Sequence, residues 1–186
     1  MNAAREARRR RILDAAAQVV CERGADGLLV DEVAGRARVG KGTIYNYFPS
    51  KGWLLVALAD DRLERFEEEL HRIAGAPGSL RRRLAETFRA RADLVDAWGG
   101  LGATRRFASE AGDLAAQRLR RRREACRAAL AQMVESAQRS GEVRAGIEPA
   151  MVADLALTAH CENGRFEELA ELIVDGVART FPQPVA

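Results

Sequence analysis

The sequence predicts an all-α protein: an N-terminal three-helix helix-turn-helix domain followed by a larger helical domain, about nine helices in all. Three observations predict it. Apolar residues recur at helical spacing in one stretch after another. No stretch alternates apolar and polar residues convincingly enough to be read as a strand. Glycine, proline and serine fall where helices of ordinary length should start and stop.

The first helix is expected around 5–23. Ile12, Leu13, Ala16, Val19 and Val20 form its apolar stripe, and Gly24 ends it. Val30–Ala37 is a second, short helix with Val33, Ala34 and Ala37 facing inward and Asp31 and Glu32 favouring its N-terminus. A third short helix follows a very tight turn, and the three together form the helix-turn-helix arrangement. Pro49-Ser50 breaks the chain, and Ser50 is a good N-cap for a long helix to about Ile73. Beyond the Gly75–Gly78 loop, Ser79 caps a helix to about Ala97. Helices follow at about 101–110 and 113–140, the latter closed by Gly141. Pro149 opens a helix to about 161, and a last one covers about 164–181. The domains are placed at 1–50 and 51–186.

Hydrophobic residues make up 47% of the 186, normal for a globular chain. No apolar run approaches the ~18 residues of a membrane span, and the basic N-terminus lacks the apolar core of a secretory signal. Cys21, Cys126 and Cys161 form no CxxC pair and are odd in number. They suggest a reducing compartment, hence a cytoplasmic protein, and each reads as a small buried hydrophobe.

Charge is uneven. Residues 1–52 hold ten basic and six acidic residues, whereas the remainder holds twenty basic and twenty-one acidic. The basic end coincides with the most informative stretch, Val39–Lys51. There Val39, Ile44 and Phe48 can anchor one side of a short helix. Lys41, Thr43, Tyr45, Asn46, Tyr47 and Lys51 crowd the rest with hydrogen-bond donors. Lys41 and Lys51 are the only lysines in a chain rich in arginine. Such a helix suits phosphates and base edges.

The same residues carry a family resemblance. Arg9-x-x-Ile12-Leu13-Asp14-Ala15-Ala16, Glu22-Arg23-Gly24, Val33-Ala34 and Gly42-Thr43-Ile44-Tyr45-x-Tyr47-Phe48-x-x-Lys51-x-x-Leu54-Leu55 resemble, in order, the TetR family of bacterial transcription regulators. The resemblance implies a helical homodimer whose first three helices bind a palindromic double-stranded DNA operator and whose remainder binds a small-molecule effector. The reading that follows is a repressor without a cofactor. No Ser-His-Asp set or strong metal spacing points to an enzyme, and a helical-bundle enzyme, a third reading, would need a metal or cofactor. Lys41 and Tyr45, with the Gly42 backbone, would lie near base edges. Thr43, Asn46, Tyr47 and Lys51 would hold phosphates. The sequence departs from the family where Leu29 and Val30 replace a capping hydroxyl, where Gly40 replaces a serine cap, and where Arg38 replaces a turn glycine. A positive φ at Arg38 would cost about 1–2 kcal/mol, which a phosphate contact would partly offset.

Within the larger domain the resemblance implies an effector pocket, for which Phe88, Trp98, Phe107 and Met133 are candidates. Ordinary core is the competing reading of those four. The last helix carries a broad apolar stripe, which either wraps deep in its own core or meets a partner chain. Leu155, Leu169, Leu172, Ile173 and Val177 are the candidates for that dimer interface.

Competing chemistry is weak. Gly35-x4-Gly40-Lys41-Gly42-Thr43 nearly spells a phosphate-cradling loop, but Gly42 intervenes before the hydroxyl and no strand precedes it. Glu68-x-x-His71 lacks the second Glu-x-x-His that a di-iron bundle needs. Arg81–Arg83 and Arg120–Arg123 read as solvated faces. The Arg8–Arg11 run is as readily a phosphate contact. The alternative to a regulator is a helical protein-interaction module that keeps the fold without reading DNA, and Leu29 and Val30 are its best support.

Overall fold

The computed structural model describes residues 3–94, 111–159 and 164–178. These contain eight helices and no strand. They are α1 (Ala3–Arg23), α2 (Val30–Ala37), α3 (Lys41–Tyr47), α4 (Lys51–Gly75), α5 (Leu80–Leu94), α6 (Asp113–Arg139), α7 (Pro149–Thr158) and α8 (Phe166–Ala178). The expected helix at 101–110 lies outside the described residues. The chain divides into two compact units, Met1–Arg65 with Asp93–Arg122, and Phe66–Ala92 with Arg123–Ala186.

In the first unit the core follows the apolar stripes. Ile12, Leu13, Ala16, Val19 and Val20 of α1 meet Val33, Ala34 and Ala37 of α2 and Ile44 of α3, all buried. α2 and α3, with 8 and 7 residues, are too short to be stable alone, so this shared core holds them. Leu54, Leu55 and Leu58 belong to the same cluster, so the core of the three-helix head reaches into α4. α1 ends as expected at Gly24, whose φ of 71° suits glycine and whose amide closes on the Val20 carbonyl. Ser50 caps α4 through its hydroxyl, which accepts from the Trp53 amide.

The rest of α4 in this unit carries two neighbouring buried acids. Asp60 and Asp61 are 2% and 7% exposed. Adjacent residues on a helix point apart, so each finds its own cations. Asp60 takes Arg118 and Arg122 of α6, at 2.5 and 3.5 Å. Asp61 takes Arg65 at 3.1 Å and Arg10 of α1 at 3.9 Å. Burying carboxylates is costly unless they are paired, and here both are.

In the second unit Leu80, Leu84 and Phe88 of α5, Leu130, Met133 and Val134 of α6, Val152 and Ala156 of α7, and Ala170 and Ile173 of α8 are buried. α7 stops at Thr158, short of the expected 161. Ala159 turns extended (φ −60°, ψ 124°). The Arg91 guanidinium donates to the Ala156 carbonyl at 2.7 Å and also to that of Ala159. Those bonds satisfy acceptors that a helix end leaves open. Arg91 is only 2% exposed. Cys126 is buried as expected, whereas Cys21 is exposed: the α1 stripe runs through Val19 and Val20 and leaves position 21 outside.

Candidate nucleic-acid interface

The turn between α2 and α3 sets the geometry of the head. Arg38 sits in the left-handed region at φ 52° and ψ 51°. Its amide donates to Gly35 O and that of Val39 to Ala34 O, the paired closure typical of a helix end. The conformation that calls for glycine is therefore held by arginine, at about 1–2 kcal/mol. The Arg38 side chain is exposed and makes no ion pair with a described residue.

Both short helices start without a side-chain cap. Leu29 precedes α2 with no capping hydrogen bond, and it is 55% exposed. Gly40 precedes α3 in extended conformation, and its carbonyl accepts from Thr43 and Ile44. α2 is instead pinned from the side. Arg36 bridges Glu22 of α1 and Glu32 of its own helix at 2.5–2.6 Å. The Arg36 hydrogen bond holds the Glu22 carboxyl below the usual range, while Glu22 and Glu32 hold the guanidinium above its own.

α3 turns one side inward and the other outward. Ile44 and the following Phe48 are buried, and Val39 is half-buried against the same core. Lys41, Gly42, Tyr45 and Asn46 are exposed. Thr43 and Tyr47 are half-buried between the two sides. Tyr47 packs on the core and carries the Arg5 guanidinium over its ring at 5.6 Å. Arg9 lies over Phe48 at 5.9 Å. The basic run of α1 is thereby partly brought to the end of α3.

The two lysines are each engaged once. Lys51 donates to the Asp26 carbonyl at 2.9 Å. Lys41 donates to the Asp31 carboxylate at 2.9 Å, and that bond raises the ammonium above the usual lysine range. An ammonium has three donors, so both keep two. Asp31 was missed by sequence reasoning as anything but a helix-start charge. Its meeting with Lys41 depends on how two helices abut, which no spacing rule encodes.

Gly42 has no need within the fold. A Cβ built there meets no atom within 4 Å, and its φ is not positive. The glycine leaves the start of α3 flat and open to a close external approach. The near phosphate-cradling sequence spans the end of α2, the turn and α3, with no strand before it.

Elsewhere the expected residues fare unevenly. Phe88 and Met133 are fully buried in the second unit, while Trp98 and Phe107 lie outside the described residues. That unit carries an open groove of about 410 Å³ lined by Ser79, Arg81, Arg82, Ala85, Glu86, Arg89 and Glu167. Its arginines are answered by acids: Arg81 by Glu171 and Asp175, Arg82 by Glu86, Arg89 by Glu167. Of the interface candidates, Leu172 and Leu155 are 72% and 49% exposed, Leu169 is half-buried, and Ile173 is buried in its own unit. The side chain of Val177 is not described. Met151, one turn before Leu155 on the same side of α7, is 58% exposed, although sequence reasoning passed over it. Glu68 and His71 both face solvent, and the described residues contain no cluster able to hold a metal. No described helix is long and apolar enough to cross a membrane.

With this geometry in view, comparison with known proteins is informative. Residues 12–58 match the family described as bacterial regulatory proteins, tetR family. The HTH-type transcriptional repressor KstR of Mycolicibacterium smegmatis is 41% identical over 81 residues, which is 44% of this chain and 40% of that protein. The match thus spans about two fifths of that curated relative's length. The solved TetR transcriptional regulator SCO0520 of Streptomyces coelicolor superposes with a TM-score of 0.65 at 28% identity, covering 93% of this chain and 99% of the other. AibR, solved in complex with isovaleryl coenzyme A and operator DNA, shares the fold at a TM-score of 0.60 and 22% identity, covering 94% of this chain and 100% of its own.

Proposed function

From the premise that this chain belongs to the TetR family of bacterial regulatory proteins, we propose that it is a ligand-responsive repressor that binds a palindromic operator as a homodimer. The observation that carries the reading is the outward face of α3. Lys41, Tyr45 and Asn46 are exposed beside a glycine that the fold itself does not require. Lys41 and Tyr45 read base edges in the major groove. Thr43, Asn46, Tyr47, Lys51 and Arg38 hold phosphates around them. The unspent donors of both lysines and the exposed guanidinium of Arg38 support these roles.

The dimer forms through the apolar face of α7 and α8, on which Leu155 and Leu172 stand exposed. Two α3 helices related by a two-fold axis then meet half-sites roughly 34–36 Å apart. The effector acts by binding more tightly to the state that has let go of DNA. AibR was solved with an acyl thioester of coenzyme A, so this class is the first to screen. Phe88 and Met133 are the described residues proposed to line its site.

Selection from random duplexes tests the reading. An enriched palindrome, released on adding an acyl-CoA, supports it. The competing protein-interaction module rests on Leu29, which is exposed and uncapped where a phosphate-touching hydroxyl would serve DNA binding. Absence of enrichment at low salt would favour that module.

A further inference from the structure

Asp31 has no place in the proposed DNA contacts. Its side chain is 74% exposed in the first turn of α2, and its carboxylate lies 2.9 Å from the Lys41 ammonium at the start of α3. A free carboxylate facing a polyanion weakens binding to every sequence. An exposed ion pair is also worth little to stability. A charge at the start of α2 does favour that helix, but Glu32 supplies one as well, so the contact with Lys41 is left to explain. Lys41 stands at the first position of α3, on a flexible four-carbon stem. A carboxylate taking one of its three N–H donors fixes where the other two point.

Resting on the regulator reading above, we infer that Asp31 is a positioning residue that sets sequence specificity: it holds Lys41 for bidentate donation to a guanine edge, while its charge weakens binding to all DNA alike. Two free N–H groups match the O6 and N7 acceptors of one guanine. Asp31 therefore exchanges general affinity for discrimination. Lys41 held by Asp31 is less available to the nearest phosphate, so contacts to any sequence weaken while the contact to one base is kept.

The test compares the full-length protein with Asp31→Asn, Lys41→Ala and the double variant. Affinity is measured by fluorescence anisotropy at one salt concentration. The probes are the duplex selected by the wild type and a scrambled duplex of the same length and composition. Asp31→Asn should bind the scrambled duplex more tightly and lose about fivefold in the operator-to-scrambled ratio, the lower end of what one misread base pair costs. In the Lys41→Ala background the same substitution should leave that ratio unchanged. Asp31→Glu, which keeps the charge and can reach the ammonium, should restore most of the ratio. A merely structural Asp31 would change affinity for both duplexes alike. An unchanged ratio in Asp31→Asn, or an equal drop with Lys41 removed, overturns the inference and leaves the regulator standing. If the wild type selects no duplex, both readings fall.

Discussion

The three-helix head keeps its cations at the surface, whereas the second compact unit buries one of its arginines. On the head, Lys41 and Arg38 sit at the surface, where charge is inexpensive to keep and available to a partner. In the second unit Arg91 is buried to 2% and spends its guanidinium on the carbonyls that end α7. A charge at the surface is poised for binding, whereas a buried one is committed to architecture. Substitutions in the two regions should therefore separate cleanly, the first altering DNA affinity and the second altering stability.

The largest effect is expected at Arg91. Arg91→Ala strips the donors from the Ala156 and Ala159 carbonyls and leaves space beside Phe88, whose ring lies 5.8 Å from the guanidinium. A loss of about 3 kcal/mol in urea unfolding is expected. The DNA affinity of the molecules that remain folded should be unchanged. If Arg91→Ala left stability intact and changed DNA binding instead, the division between the regions would be lost.

Next comes Lys51, the half-buried cation at the start of α4. Lys51→Ala should weaken binding to operator and scrambled duplexes by the same factor. The slope of log affinity against log salt should flatten by about one, as expected for one phosphate contact. A change confined to the operator would move Lys51 from the phosphates to the bases. A changed unfolding midpoint with an unchanged slope would make its bond to the Asp26 carbonyl its whole role.

Gly42 offers a contrast in sign. Gly42→Ala puts a Cβ into open space on a helix, so stability should rise by about 0.5–1 kcal/mol. Operator affinity should fall at the same time, because the methyl group holds α3 off the duplex. A variant that gained stability and kept its affinity would show that nothing approaches this face closely.

How much of this was legible in the sequence follows from the same contrast. The head was readable because its helices are punctuated by Gly24, Pro49 and Ser50, and because a helix carrying Lys41, Tyr45 and Asn46 has nowhere to bury them. The strained turn at Arg38 was readable as a condition on φ, which the structure meets at 52°. The Asp31–Lys41 pair was not, since it depends on the approach of two helices rather than on spacing along one. Nor was Arg91, because arginine on a helix reads as solvated until neighbours close over it. The apolar residues of the second unit gave the least. Phe88 and Met133 look alike whether they fill a core or line a cavity.

The smallest effects test whether surface ion pairs behave alike in both regions. In the head, Arg36 lowers the pKa of Glu22 from its ordinary 4.5. In the second unit, Arg127 lowers that of Asp154 from 3.8 by donating at 2.6 Å. In each case the folded state holds the proton more weakly than the unfolded one. The contribution to stability is therefore complete above the ordinary carboxylate value and is lost as pH falls through the depressed one. Arg36→Gln and Arg127→Gln should each flatten the acid limb of stability against pH slightly, and by similar amounts, because both pairs are exposed and screened by solvent. Equal, small changes would place the difference between the regions in what is buried. A steep loss for one pair alone would mean that its region relies on surface charge for its fold.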